Sequence, residues 1–261
     1  MPEHTEFVER IGRVLRCTVS TAAAGASLNG DAVQQAAAAM ADIGDGADIG
    51  CILLVGTGPS FCTGGNVKAF AGAEEPGQYV GAVARSFHTF VQALTEAQVP
   101  VVAAVHGWAA GAGMSIACAA DLVVAGPGTH FRPAYPAIGF SPDGGMSWTL
   151  PRIIGTARAR HILLTDGILT GREAHELGLV SRLVADEHVA AHAMELATSL
   201  ADGPTGALGA IKGLLRDGQH RTLAGHLDAE ADSIAARAQS TEGREGVRAF
   251  AERRAPQFHR A

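Results

Sequence analysis

The segment from Val99 to Asp121, VPVVAAVHGWAAGAGMSIACAAD, constrains the fold more than any other part of the sequence. After Pro100 it continues with five small or β-branched apolar residues, a pattern typical of a short strand buried on both faces. A glycine-rich turn from His106 to Gly113 follows, and Met114 to Ala120 is predicted to form a helix. Because a helix N-terminus and free backbone N–H groups both favour negative charge, we expect this turn to bind an anion or a developing oxyanion.

Two other interpretations of this segment have to be weighed. Val99 to Ala120 carries no formally charged residue, and about 20 residues is the length of a membrane-spanning helix. Alanine and glycine dominate the segment, Pro100 and several glycines interrupt it, and no lysine or arginine closely flanks it, which argues against a membrane span. The glycines would also permit close packing of the helix on the strand, a purely structural role that the sequence leaves open.

Composition limits the class of protein. A chain of 261 residues is long enough for one large domain or two small ones with a substantial core. Its formal net charge is −6 and it has no basic run, so we expect no nucleic-acid partner. The N-terminal sequence MPEHTEFVERIGR is charged and has no apolar segment, which predicts a cytoplasmic protein with no membrane partner. The scattered spacing of the cysteines predicts reduced, buried thiols and no metal site for Cys17, Cys51, Cys62 and Cys118.

A second strand and loop precede the first segment. Cys51 to Gly56 is a predicted buried strand, and the loop after it contains Gly64 and Gly65. Ligands gather at the carboxyl ends of parallel strands, so this loop is a second candidate for ligand binding, although an ordinary Gly-Gly turn would have the same sequence. The other predicted elements are a strand at Val14–Ser20, a helix capped by Asn29 or Asp31 that runs through Met40, a helix at Gln78–Gln98, strands at Asp121–Ala125 and Thr129–Phe131, and helices at Thr156–Thr165, Arg172–Leu177, Glu187–Leu200, Thr205–Arg216 and Leu223–Ala238.

With these elements placed, the chain resembles the enoyl-CoA hydratase/isomerase (crotonase) family from Val14 onward. The similarity rests on ordered motifs: SFCTGGNVKAF, PVVAAVHGWAAGAGMSIACAAD, FRPAYPAIGFSPDGG, LPRIIG, LTGREAHELGLVSRLV and PTGALGAIKGLL. Each motif alone is weak, whereas their order is specific. The resemblance implies an α/β fold, with a crotonase-like spiral of ββα units that carries the acyl-CoA site in residues 1–200. A helical C-terminal trimerisation region would follow in residues 201–261.

The resemblance also implies a site. An acyl-CoA thioester would bind with its carbonyl oxygen between the backbone N–H groups of Gly65 and Ala112, which lie in small-residue loops. Two such donors stabilise an enolate-like oxygen, and loss of one typically costs about 2.7–4 kcal/mol. Coenzyme A is then part of the substrate, and no separate cofactor is implied. The family pattern further implies substrate contacts at Cys62, Gly64, Gly111 and Tyr135, and a contact between Lys212 and the coenzyme A end.

The chain departs from the family's hydratases at two positions. Those enzymes are similar in having one glutamate just after the second glycine-rich loop and another further along the chain, where this sequence has Ser115 and Tyr135. Neither side chain acts as a carboxylate acid or base near neutral pH, so hydration by two glutamates is not expected.

The remaining candidate base is Asp143, in GFSPDGGMSW. Family isomerases are similar in placing Asp or Glu at this point, which implies one carboxylate that moves a proton from C2 to C4 of a 3-enoyl thioester. From the residues alone, an aspartate just before a predicted helix would equally suit a helix cap. Lone histidines are seldom catalytic, so we expect His88 to be solvated, and His106 and His130 to have structural roles.

Three other functions remain open at this point. A hydratase-like lyase is one, and a non-catalytic acyl-CoA binder is another. A thioester hydrolase is the third, because Gly113-Met-Ser115-Ile-Ala resembles a loosened GxSxG motif, although Ser115 falls within the predicted helix and not on a sharp turn. The alanine-rich helices after Thr205 are poorly able to bury themselves alone, and we therefore expect a homotrimer or a dimer of trimers.

Overall fold

A computed structural model describes residues 6–43 and 48–259 of the chain. Its strands are β1 (Val8–Ile11), β2 (Val14–Ser20), β3 (Cys51–Gly56), β4 (Val101–Val105), β5 (Trp108–Ala110), β6 (Leu122–Ala125), β7 (His130–Arg132), β8 (Leu169–Thr170) and β9 (Arg182–Leu183). Its helices are α1 (Gly30–Ala41), α2 (Val67–Ala71), α3 (Pro76–Glu96), α4 (Ala112–Ala119), α5 (Met146–Ile154), α6 (Thr156–Thr165), α7 (Gly171–Glu176), α8 (Val189–Ala201), α9 (Thr205–Gly218), α10 (Leu223–Gln239) and α11 (Thr241–Ala251). Residues 1–5, on which part of the cytoplasmic expectation rests, lie outside the described residues.

The strands form two sheets that the chain visits alternately. The larger sheet has the order β1-β2-β3-β4-β6-β9, with every neighbouring pair parallel except β1 and β2. The smaller sheet has the order β5-β7-β8. After β4 and after β6 the chain crosses to the smaller sheet, forms β5 or β7, and then enters a helix. This repeated ββα step agrees with the spiral that the sequence predicts.

Strand β4 lies at the centre of the larger sheet, and all five of its residues are buried, as the sequence predicts. Val101, Ala103 and Val105 belong to one core cluster, which contains buried residues of α1, α3 and α4. Val102 and Ala104 belong to the opposite cluster, which α8 covers. Because both faces are filled, the carboxyl end of β4 is fixed, and so is the start of the loop that follows it.

The structure divides Val99–Ala120 into two strands and a helix. Within the described ranges, no helix is long and apolar enough to cross a bilayer. The sequence predicts a turn over His106–Gly113, but the middle of this segment forms strand β5. That strand pairs with β7, which is distant in sequence. Helix α4 begins at Ala112 and not at Met114, since Gly111 at φ +52° ends the strand and caps the helix directly.

Several predicted elements have the observed bounds, and others were missed. The strands at Val14–Ser20 and Cys51–Gly56 and the helix at Thr156–Thr165 are confirmed residue for residue. Strand β1 was missed because it has one buried residue and polar neighbours on an edge. Helix α11 was missed because its sequence is strongly polar, although Ser240 caps it by accepting the Gly243 N–H.

The C-terminal helices leave apolar side chains exposed. Described residues after Ala201 form helices and no strand, and no residue of α10 is buried. The large apolar side chains exposed on α9, α10 and α11 are Ile211, Leu215, Leu223, Leu227, Ile234, Val247 and Phe250. Exposed apolar surface of this extent is typical of a protein–protein contact.

We therefore expect the chain to self-associate through α10 and α11, as a trimer or a dimer of trimers. The double variant Ile234→Glu/Phe250→Glu should shift the assembly toward the 26.7 kDa monomer, because a contact would desolvate the new charges. Light scattering at micromolar concentration measures the mass. Ile11→Glu, on the edge strand β1, is the matched control and should leave the mass unchanged. A parent chain that scatters only as a monomer would contradict the expectation.

Candidate active site

A cavity of about 540 Å³ lies between α3, the loop after β3, the start of α4 and the segment that follows β7. Its walls are mostly apolar, with Val80, Phe87 and Phe140 among them. Asp143 is the one charged side chain among the described residues that line the cavity. An apolar enclosure with few polar groups is typical of a small-molecule site.

The predicted backbone donors, Gly65 and Ala112, both line this cavity. Their loops touch, since a Cβ added to Gly111 would lie 3.5 Å from the Gly64 Cα atom. Within residues 6–43 and 48–259, neither the Gly65 nor the Ala112 N–H group has a protein acceptor. Ala112 is the first residue of α4, where a backbone N–H has no intrahelical partner. The structure thus brings two free donors to one wall of the cavity.

Glycine is required where these loops meet. Gly64 has φ +102°, and a Cβ there would lie 3.3 Å from the carbonyl oxygen of Ala110. Gly65 faces the ring of Phe70, whose nearest atom would be 2.8 Å from an added Cβ. The Gly-Gly pair is therefore more than an ordinary turn, because side chains would separate the loops or fill the wall.

The Asp143 carboxylate lies in the cavity and accepts a hydrogen bond from Tyr135, with 2.6 Å between the phenol oxygen and Oδ1. Asp143 does not cap the following helix: α5 begins at Met146 after Gly145, and no side chain bonds to its N-terminal N–H groups. The interpretation of Asp143 as a helix cap is wrong. Burial raises the pKa of the Tyr135 phenol, and the nearby Asp143 charge raises it further, so the phenol stays protonated.

Ser115 lies inside α4 and is fully buried, as the sequence predicts. Its Oγ is 3.3 Å from the carbonyl oxygen of Gly111, 3.2 Å from the Tyr135 hydroxyl and 3.0 Å from the carbonyl oxygen of Asp143. In the described part of the chain, no histidine nitrogen is hydrogen-bonded to Ser115. A serine nucleophile needs an adjacent base, so this environment does not support the hydrolase alternative.

His88 is exposed, as the sequence predicts, but it also makes a hydrogen bond that the sequence does not predict. Its Nε2 accepts the Gly144 N–H at 3.2 Å, beside Asp143. The residues around His88 give no indication of this hydrogen bond, because α3 and Gly144 are distant in sequence. Gly144 itself has φ +60°, and a Cβ there would lie 2.3 Å from the ring of Phe87. The close approach holds the Asp143 segment against α3.

Cys62, a predicted substrate contact, does not line the cavity. Its backbone N–H donates to the carbonyl oxygen of Trp108 at 3.1 Å, and its carbonyl oxygen accepts the Ala110 N–H at 2.9 Å. The side chain is fully buried, and burial raises the pKa of the thiol to about 12. Cys62 therefore joins the loop after β3 to β5 and supports the cavity wall from behind.

Lys212, predicted to contact the coenzyme A end, also lies outside the residues that line the cavity. Its ammonium is 2.8 Å from Asp121 Oδ2 and donates to the carbonyl oxygen of Leu94 at 2.7 Å. Burial lowers the pKa of Lys212, and the Asp121 carboxylate counteracts this by raising it. Lys212 lies on α9, as the sequence predicts. Its ammonium group pairs with Asp121 and so holds α9 against the sheet.

The other predicted site residues come together. Gly64, Gly65, Gly111, Ala112, Tyr135 and Asp143 all line the cavity. His106 and His130 have the structural contacts expected of them, since His106 Nε2 is 2.9 Å from the carbonyl oxygen of Gly58 and the His130 ring stacks on Trp108.

Several known proteins are similar to this chain in sequence. The sequence profile described as enoyl-CoA hydratase/isomerase matches residues 12–261. The 1,2-epoxyphenylacetyl-CoA isomerase of Escherichia coli (strain K12) is 39% identical over 215 residues, which cover 80% of this chain and 81% of that protein. The 4-chlorobenzoyl coenzyme A dehalogenase-1 of an Arthrobacter species is 32% identical over 190 residues, 72% of this chain and 69% of that protein.

A solved structure extends the similarity to the whole fold. An enoyl-CoA hydratase from Polaromonas sp. JS666 superposes with a TM-score of 0.89 at 30% identity, covering 97% of this chain and 98% of that chain. The expected crotonase-like α/β spiral with a helical C-terminal region is thereby confirmed.

Replacing Lys212 should affect stability and not ligand binding. Lys212→Met keeps the length of the side chain but removes the ammonium from the Leu94 carbonyl and from Asp121, which keeps the Val101 N–H as a donor. We expect the free energy of unfolding in urea to fall by about 2 kcal/mol, the size of a lost hydrogen bond to a charged group, because Asp121 is partly exposed. Lys68→Met, on exposed α2, is the matched control. A large loss of coenzyme A affinity by the folded Lys212→Met protein in calorimetry, with unchanged stability, would contradict this assignment.

Proposed function

Because the chain belongs to the enoyl-CoA hydratase/isomerase family, we propose that it moves a double bond within an enoyl-CoA thioester, with Asp143 as a single carboxylate base. Family membership makes the chain an acyl-CoA enzyme of the hydratase/isomerase type. The observation that carries the isomerase proposal is that Asp143 is the one charged side chain among the described residues lining the cavity. A double-bond shift needs one base, whereas the usual hydration route needs two acids.

The backbone donors would stabilise the negative charge that develops on the thioester oxygen during the reaction. The thioester oxygen would lie between the N–H groups of Gly65 and Ala112, which have no protein acceptor within the described residues. Asp143 removes the proton from C2 of a 3-enoyl thioester, and negative charge spreads to the thioester oxygen. The donors hold this dienolate, with Ala112 at a helix N-terminus. Return of the same proton to C4 leaves the double bond between C2 and C3 and consumes no water.

The residues at the two hydratase positions support isomerisation over hydration. Ser115 is fully buried, and the Tyr135 phenol has a pKa raised by burial. Neither can act as a second carboxylate acid or base near neutral pH. A hydratase-like lyase therefore has the weaker support.

The cavity walls suggest the acyl group. Phe70 and Phe140 form an offset stack with ring centroids 6.3 Å apart, and both line the cavity. Gly77 and Gly81 line it from α3, where they leave width for a bulky group. Two relatives are named for phenylacetyl and benzoyl thioesters. We favour an acyl chain with a ring or an extended planar unsaturated system, because flat apolar groups stack well on aromatic side chains.

Asp143→Asn should abolish isomerisation without unfolding the protein. The amide oxygen can still accept the Tyr135 hydrogen bond, so we expect the melting temperature to stay unchanged. Loss of the base should lower kcat by about 10²- to 10⁴-fold. The assay follows the conjugated product formed from trans-3-hexenoyl-CoA by ultraviolet absorbance.

The controls separate the alternatives. The Kd for hexanoyl-CoA should match between parent and variant, which shows that only the chemistry is lost. Parent-like turnover by Asp143→Asn would overturn the assignment of the base. Efficient hydration of trans-2-butenoyl-CoA would favour the hydratase-like lyase. Release of free coenzyme A would favour the thioester hydrolase. Tight binding with no turnover of these thioesters, or of a 3-enoyl thioester that carries a ring, would indicate a non-catalytic binder.

A further inference from the structure

The residues at the two hydratase positions form a hydrogen-bonded network with Asp143. Tyr135 Oη is 2.6 Å from Asp143 Oδ1, and Ser115 Oγ is 3.2 Å from the same hydroxyl. We propose that Tyr135 is the positioning residue for Asp143, holding one carboxylate oxygen so that the other faces the acyl chain. This inference rests on the proposed function, and it replaces the substrate contact predicted for Tyr135 from sequence.

The direction of the hydrogen bond follows from the protonation of the phenol. Tyr135 is neutral, since burial and the Asp143 charge both raise its pKa. A phenol has one proton, and 2.6 Å is typical of an O–H group that donates to a carboxylate. Tyr135 therefore donates to Asp143, and Ser115 directs its own hydroxyl proton to one of its neighbouring oxygens.

Tyr135 supplies the one hydrogen bond found on the Asp143 carboxylate within residues 6–43 and 48–259. The neighbouring Gly144 N–H does not turn to the carboxylate, because it is bonded to His88 Nε2. Helix α5 makes no cap bond with it either. Oδ1 is thus occupied, whereas Oδ2 has no protein partner in this part of the chain and is left to accept a proton.

Tyr135 can position another group because its own segment is fixed on both sides. Ala134 has φ +63°, an unusual conformation for alanine, and its N–H donates to Asp166 Oδ1 at 2.7 Å. Asp166 Oδ2 accepts from Arg132 Nε at 2.9 Å. After the tyrosine, the Phe140 N–H donates to the Tyr135 carbonyl oxygen at 3.0 Å. The strained residue persists because this surrounding network determines its conformation.

The variant Tyr135→Phe tests the proposal, because it keeps the buried ring and removes the donor alone. A carboxylate released from its partner can leave the productive geometry, and a misplacement of about 1 Å costs about 10²-fold in rate. We expect kcat for trans-3-hexenoyl-CoA to fall about 100-fold while KM stays within about twofold of the parent. A substrate contact would instead raise KM and leave kcat near the parent value.

Tyr79→Phe is the matched control. Tyr79 packs edge to face against the cavity residue Phe70, with ring centroids 6.2 Å apart. Among the described residues, Tyr135 and not Tyr79 is hydrogen-bonded to the Asp143 carboxylate. Removal of the Tyr79 hydroxyl should leave kcat and KM unchanged. A thermal melt shows whether Tyr135→Phe folds. If it does not fold, Asp166→Asn is the second variant, because it weakens the bonds of Asp166 to Arg132 and Ala134 that fix the Tyr135 segment. This variant should lower kcat and preserve KM.

A crystal structure of Tyr135→Phe gives a readout that does not depend on turnover. We expect the Asp143 side chain to leave its parent position or to occupy more than one rotamer. A single, unmoved Asp143 rotamer, or a parent-like kcat, would overturn the positioning role. That failure differs from failure of the proposed function, which would appear as a parent chain without isomerase activity or as a fully active Asp143→Asn variant.

Discussion

The site depends on the close approach of two stretches of backbone that have almost no side chains between them. A Cβ on Gly113 would lie 2.1 Å from the carbonyl oxygen of Cys62, and one on Gly107 would lie 2.3 Å from that of Pro59. Contacts this short leave no room for any other residue. They hold the loop after β3 against the start of α4, and the two free N–H groups share a wall for that reason. The packing of the fold therefore brings the two free backbone donors together.

Once the backbone supplies the donors, a small set of polar side chains is left to decide the reaction. Asp143 is placed by α3 and by the Tyr135 segment, which belong to different turns of the spiral. Ser115 joins these groups to α4, directly behind Ala112. A fold that keeps its donors fixed can thus change chemistry through a few positions on neighbouring turns.

Local sequence predicts most of the strands and helices, because strands such as Cys51–Gly56 are continuous apolar runs bounded by glycine and polar residues. It also places Gly65, Ala112 and Asp143 in the cavity through ordered motifs. It fails for β5, since one tryptophan and two alanines after a glycine become a strand only when β7 lies beside them. It also gives no sign of the ion pair of Lys212, because the partly exposed Asp121 that pairs with this lysine is far from it in sequence. Partners distant in sequence decide these cases.

The ion pair between Lys212 and Asp121 also links parts of the chain that the sequence separates. Asp121 Oδ2 accepts both the Lys212 ammonium and the N–H of Val101, the first residue of β4. Loss of α9 would therefore unpair a carboxylate at the start of the central strand, and loosening of β4 would release α9. The C-terminal helices and the sheet should open as one cooperative unit, with slow amide hydrogen exchange in β4 and α9 lost together.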